Sequence, residues 1–136
     1  MMPIERFPTP LPMPFSKAVR AGGFLFLSGV LPMDGEGRLV AGAIDVQTRV
    51  VLERIAATLG EHAASLADVV RVTVWLADLA DFAAFNEEYR RHFELGFPAR
   101  STVQAVLYGG ARIEIDAQAL VPPVPLEAMP REGGGS

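Results

Sequence analysis

Residues 69–77 read Val-Val-Arg-Val-Thr-Val-Trp-Leu-Ala, and no other stretch restricts the architecture of this chain so tightly. Its density of β-branched side chains makes it a strand. Strand side chains alternate, so Val70, Val72, Val74 and Leu76 share one face, and Val69, Trp75 and Ala77 the other. Both faces are apolar, and a sheet apolar on both sides must be covered on both sides. The chain offers two helices as cover. The first, capped by Asp45 and ending at Gly60, carries the stripe Thr48, Val51, Leu52, Ile55, Leu59. The second, capped by Asp78 or Asp81, carries Phe82, Phe85, Tyr89, Phe93. Two helices cover one face. The other is left to a second copy of the chain or, alternatively, to the terminal segments folding over it.

Prolines mark the boundaries. Five of the 11 lie within residues 1–14 and four within 122–136. Residues 1–13 therefore read as an extended lead-in, 14–121 as a single domain, and 122–136 as a Pro/Gly-rich flexible tail whose end, 131–136, is linker-like. In the body, Lys17–Arg20 and Phe24–Ser28 flank Ala21-Gly22-Gly23 as a first hairpin. Ser101–Leu107 and Arg112–Leu120 read as two strands around a tight turn at 108–111. The order is ββαβαββ: an α+β fold with both helices on one face of a mixed sheet of four to six strands.

Composition narrows the function. With 50% hydrophobic residues in 136, the chain has apolar surface enough for a core without staples. It contains no cysteine, which excludes a disulfide framework, a thiol nucleophile and any thiolate metal site. A net charge of −4 with a single lysine makes a nucleic-acid groove an unfavoured reading. No signal-like h-region and no membrane-length apolar run occur, so a soluble, cytoplasmic protein is expected. The loop glycines Gly35 and Gly37 read as turn residues rather than a phosphate cradle. His62, just past a helix end, and His92, on the second helix, read as surface residues without ligand partners.

Two charged residues stand out. Arg100 lies in Phe97-Pro98-Ala99-Arg100-Ser101-Thr102, where a loop enters a strand; a guanidinium there can grip a carboxylate with two parallel hydrogen bonds. Glu114 lies on the polar side of Arg112-Ile113-Glu114-Ile115-Asp116, where a carboxylate in a half-buried cleft can orient a water. By spacing alone, a solvated edge arginine and an exposed sheet face are the simpler readings of the two.

An ordered set of short motifs goes further. Pro14-Phe15-Ser16-Lys17-Ala18-Val19, Phe26-Leu27-Ser28-Gly29, Ala41-Gly42, Gln47-Thr48-Arg49, Asp68 to Val74, Asp81-Phe82, Asn86-Glu87-Glu88-Tyr89, Pro98-Ala99-Arg100-Ser101 and Ile113 to Ala117 together resemble the Rid (reactive intermediate deaminase, YjgF) family. The resemblance spans residues 14–121. It implies a chorismate-mutase-like α+β fold and a homotrimer with sheets facing inward and sites in clefts between subunits. It implies hydrolysis of 2-imino or 2-enamino acids to 2-oxo acids and ammonia, with no metal or organic cofactor. Arg100 matches the family residue that holds the substrate carboxylate, and Glu114 the one linked to the attacking water. Ser28 and Gly29 match the strand end lining the pocket, and Asn86 a position near it.

The sequence departs from the family pattern at Phe15, commonly tyrosine; at Val30, commonly glutamine; at Thr102, often a small residue or cysteine; and in the short turn at 107–111. These changes make the expected site more apolar and open the question of its substrate. A specialised pathway deaminase with an aminomuconate-like substrate is one alternative. A non-catalytic or endoribonuclease-like member, with an Arg20/Arg38/Arg112 patch, is another.

Overall fold

The computed structural model describes residues 3–122. Six strands form one sheet: β1 (Glu5–Pro8), β2 (Ser16–Ala21), β3 (Phe24–Val30), β4 (Val69–Leu76), β5 (Ala99–Gln104) and β6 (Ile113–Leu120). Helices α1 (Ile44–Gly60) and α2 (Phe82–Arg90) follow β3 and β4. The spatial order is β1-β2-β3-β6-β4-β5, antiparallel except for the β4–β5 pair. The expected mixed sheet and two-helix α+β layout is the one observed.

Local chemistry explains the elements. Gly22 and Gly23 both adopt positive φ, at 57° and 85°, as a two-residue hairpin loop requires, and Ala21 pairs with Phe24 across it. The α1 stripe Thr48, Val51, Leu52, Ile55 and Leu59 is wholly buried, as its spacing predicts. It packs over Leu25, Leu27, Val72, Val74, Ile113 and Ile115 from the sheet. Burying each large aliphatic side chain stabilises the fold by about 1.5–3 kcal/mol. Loop 31–43 closes on itself: the Asp34 carboxylate accepts from the backbone N–H of Glu36 and Arg38. Those donors are spent within the turn, in line with Gly35 and Gly37 as turn residues.

Several expectations are corrected. The lead-in is extended, but its residues Glu5–Pro8 pair with β2 as an edge strand, so the order begins βββ. Pro8 sits at the end of that edge strand, where a missing N–H costs no ladder bond. Strands β5 and β6 are not a hairpin: β4 lies between them, and residues 108–110 are a 3-10 turn within a longer crossing. Asp45 is inside the first turn of α1, and the cap position is Ala43. Asp78 accepts from the Ala80 N–H in the 3-10 turn before α2, while Asp81 occupies the α2 cap position without a side-chain bond. The tail from 123 onward lies outside the described residues.

The two-sided strand behaves as argued, with one exchange. Its register shifts between Val69 and Arg71, which puts Val69 under the helices and Val70 on the opposite face. That opposite face carries Phe24, Phe26, Val70, Val103 and Leu120, all at least a third exposed, with Trp75 half-buried among them. Residues 5–10 do not cover it: β1 extends the sheet edge, and Thr9 and Pro10 line a recess on the helix side with Thr58, Glu61 and His62. Among the described residues no helix is long and apolar enough to cross a membrane.

Candidate active site

Glu114 lies on the open face of β6, opposite Trp75 of β4. Its neighbours at 113 and 115 are completely buried beneath the helices, which fixes the register that turns Glu114 outward. The start of β6 is pinned by Gln47, a buried amide of α1. Gln47 donates to the Val40 carbonyl at 2.9 Å and accepts from the Arg112 N–H at 2.8 Å. This clamp, two residues before Glu114, escapes sequence reasoning because a glutamine on a helix stripe reads as a surface residue.

Across from β6, the ladder of β3 is interrupted between Leu27 and Val30. The break leaves Ser28 and Gly29 out of register, and the Ser28 hydroxyl donates to the Ser16 carbonyl at 2.6 Å. Gly29 then leaves room for the Glu114 side chain: a Cβ at position 29 would overlap Glu114 Oε2. Burial, and secondarily the nearby Asp116 carboxylate, raise the Glu114 pKa above its ordinary value. Phe15, about half exposed, sits one residue before Ser16. Val30 is different: it pairs with Ile115 and packs against the hydrophobic core, away from Glu114.

Arg100 occupies the other side of the sheet. It pairs with Val72, a residue buried beneath the helices, and Thr102 pairs with buried Val74 on the same face. The Arg100 guanidinium lies over the rings of Tyr89, Phe85 and Phe82, at 4.9, 5.0 and 5.6 Å from their centroids. Asn86, half-buried, is on the same helix. Within one chain the expected residues thus divide. Ser28, Gly29 and Glu114 meet at the end of β3, with Phe15 just ahead of β2 in the chain, while Arg100 and Thr102 share the helix-side face of the β5 edge and Asn86 lies on α2. Glu114 is level with Val103 through Trp75, so Arg100 is three residues, roughly 10 Å, further along and on the opposite face. Neither of the two recesses described in the chain contains Arg100 or Glu114.

The histidines also need correction. His62 is half-buried, edge-on to Phe7 at 4.5 Å, and burial lowers its pKa. His92 lies just past the end of α2 and is not on an exposed side: its side chain is 17% exposed, and Nε2 lies 2.8 Å from the buried Glu88 carboxylate. The carboxylate partner is four residues back, at the spacing that helix neighbours share. Among the described residues no cluster of three or more His, Asp or Glu stands ready to hold a metal.

The comparisons with known proteins agree with this architecture. A family model described as Endoribonuclease L-PSP matches residues 9–121. A RutC family protein of Pyrococcus abyssi is 48% identical over 101 residues, covering 74% of this chain and 79% of the relative. The human 2-iminobutanoate/2-iminopropanoate deaminase is 37% identical over 113 residues, covering 82% of each. The crystal structure of RidA from the Antarctic bacterium Psychrobacter superposes with a TM-score of 0.77 at 34% identity, covering 85% of this chain and 94% of that one. By sequence and by fold, the chain belongs to the Endoribonuclease L-PSP family, the Rid and YjgF proteins whose motifs run through its body.

Proposed function

We propose that this protein hydrolyses 2-imino acids and their 2-enamino tautomers to 2-oxo acids and ammonia, as a homotrimer whose sites form between copies. The observation that carries the reading is the division of the two key groups. A carboxylate-binding guanidinium and a proton-accepting carboxylate lie on opposite faces of one sheet, and the open face is apolar and uncovered. A second copy whose β5 edge meets that face would bring its own Arg100 toward the first copy's Glu114. Relatives that carry the name 2-iminobutanoate/2-iminopropanoate deaminase support the chemistry.

The steps need few groups. Arg100 binds the substrate carboxylate with paired N–H donors and so fixes the adjacent imine carbon. Glu114, a stronger base than an ordinary glutamate, takes a proton from a water as the water oxygen bonds to that carbon. The carbinolamine formed from the protonated imine receives that proton at nitrogen, the C–N bond breaks and ammonia leaves, and the hydroxyl proton passes to the freed Glu114 carboxylate as the carbonyl forms. Imines are already electrophilic, so the protein needs to supply only a few kcal/mol, about 10²–10⁴-fold. Phe15, Ser28, Gly29 and Thr102 would frame the substrate, with Asn86 behind Arg100. Val30 would act from the core side, by setting the β3 bend rather than by touching substrate.

The word endoribonuclease in the family description does not fit the charge of this chain as well. Arg38 pairs with Asp34 and Glu36, Arg112 lies 3.7 Å from Asp81, and Arg20 donates to the Pro122 carbonyl. Each of the three arginines is engaged separately rather than gathered into a basic groove.

An amino-acid oxidase that generates 2-imino acids in place, with ammonia release as the readout, tests the proposal. The wild type is expected to accelerate imine loss, and Arg100→Ala to fall at least about 10²-fold toward background. Equal background rates for both proteins across a panel of imines would overturn it.

A further inference from the structure

Arg100 is held in an unusual way for a charged side chain. Arg38, Arg49, Arg91 and Arg112 are ion-paired. Arg100 has no carboxylate partner among the described residues, and its one polar neighbour is the Tyr89 hydroxyl, which it approaches without a hydrogen bond of full geometry. What it has instead is three aromatic rings from one helix, with the Phe85 and Tyr89 centroids within 5.0 Å of the guanidinium carbon. Phe85 and Tyr89 are themselves anchored. Both are fully buried, and the Tyr89 ring also packs on Phe85 at 5.2 Å and Phe93 at 4.6 Å. The two nearer rings on which Arg100 lies are therefore part of the core.

The physical consequence follows from the shape of the group. A guanidinium is planar, and its N–H donors lie in that plane. An acidic partner orients the group but occupies those donors and cancels its charge. An aromatic face attracts it through the ring quadrupole and leaves the donors unused. The Tyr89 hydroxyl does not compete either. It is buried and makes no hydrogen bond of full geometry, and burial pushes its pKa up to about 12 against the charge and the weak N–H approach of Arg100, so it stays neutral.

We infer that Phe85 and Tyr89 are positioning residues for Arg100: they hold the guanidinium by its face, so that its in-plane donors meet no acidic partner and are presented to a carboxylate ligand. The identity of that ligand as an imino acid rests on the proposed function. The holding of the arginine does not.

The test uses the full chain and the 2-oxobutanoate anion as carboxylate probe. In the wild type, the Arg100 Nε–H proton resonance is expected well upfield of the random-coil position, because ring currents shield it. Phe85→Leu is expected to move that resonance toward random coil and to weaken 2-oxobutanoate binding about 10-fold. In turnover, it raises KM by a similar factor while kcat changes less than about threefold. Tyr89→Phe, which keeps the ring, stays within about twofold of wild type in both. Arg100→Lys does not restore binding, since an ammonium has no planar donor fork. A random-coil Arg100 resonance in the wild type overturns the inference without any substitution, so it remains testable even where Phe85→Leu fails to fold. Unchanged probe affinity in a folded Phe85→Leu also overturns it. If the wild type hydrolyses no imine, the proposed function fails, while the resonance and the probe affinity still decide the inference.

Discussion

At the scale of single residues, the closest constraint is between Gly29 and Glu114. The nearest atoms to a Cβ at position 29 all belong to the Glu114 side chain. Gly29→Ala is therefore expected to push that carboxylate aside with little effect on the fold. A displacement of about 1 Å costs on the order of 10²-fold, and it should appear in kcat with KM nearly unchanged. The raised pKa of Glu114 has a second effect. A group whose folded pKa lies above its unfolded value binds protons more tightly when folded, so the stability it contributes is present below the unfolded pKa and lost as pH rises through the folded one. At pH 7 the ionised Glu114 is a burden on the fold. Glu114→Gln should raise the melting temperature at pH 7 and lose that advantage near pH 3.5, as thermal melts at the two pH values would show. The same variant should abolish imine hydrolysis. Glu114 was legible in the sequence because Ile113-Glu114-Ile115 alternates cleanly. The face of Arg100 was not, because Ala99-Arg100-Ser101-Thr102-Val103-Gln104 is an edge strand with no apolar alternation to orient it.

At the scale of elements, α1 and α2 are joined by a charged clasp. Glu88, buried on α2, accepts from Arg49 of α1 at 3.2 Å and from Arg91 at 3.3 Å, with His92 at 2.8 Å. Burial alone would push its pKa up; hydrogen bonds from His92 and Arg49 outweigh it, and the net is a lowered value. The sign is then opposite to that of Glu114. The clasp contributes above the unfolded carboxylate pKa and is lost as pH falls through the lowered folded one. Glu88→Ala should cost about 1.5–3 kcal/mol at pH 7, the range for a hydrogen bond to a charged group, and the deficit should shrink in acid. Urea melts at pH 7 and pH 3 would measure both. A deficit equal at the two pH values would show that the loss is one of packing alone. The helices themselves were readable from their stripes, since 3.6-residue spacing survives without tertiary knowledge. The clasp was not, because Glu88 and His92 look like ordinary surface charges until α1 is laid against them. Strand β1 was hidden for a different reason: its Pro8 argues against a strand unless the segment is known to be an edge.

At the scale of the whole molecule, the two apolar faces of β4 already implied a missing cover, and the structure leaves that face open with Phe26 near its middle strands. Phe26 pairs with Gln118 and makes no part of the helix-side core, so Phe26→Asp should leave the fold intact. It should also yield a monomer by light scattering and remove imine hydrolysis, because the proposed site takes Arg100 from one copy and Glu114 from another. A monomer that retained activity would show that one chain suffices. In the proposed trimer, the separation of Arg100 from Glu114 carries a consequence for inheritance as well as for chemistry. In a three-membered ring where every site borrows one group from each of two neighbours, a single chain lacking either group silences one site of three. A single chain lacking both silences two. Damage in such a protein is counted by seams rather than by subunits, and a doubly defective gene copy would depress its healthy partner's output well beyond its own share of the pool.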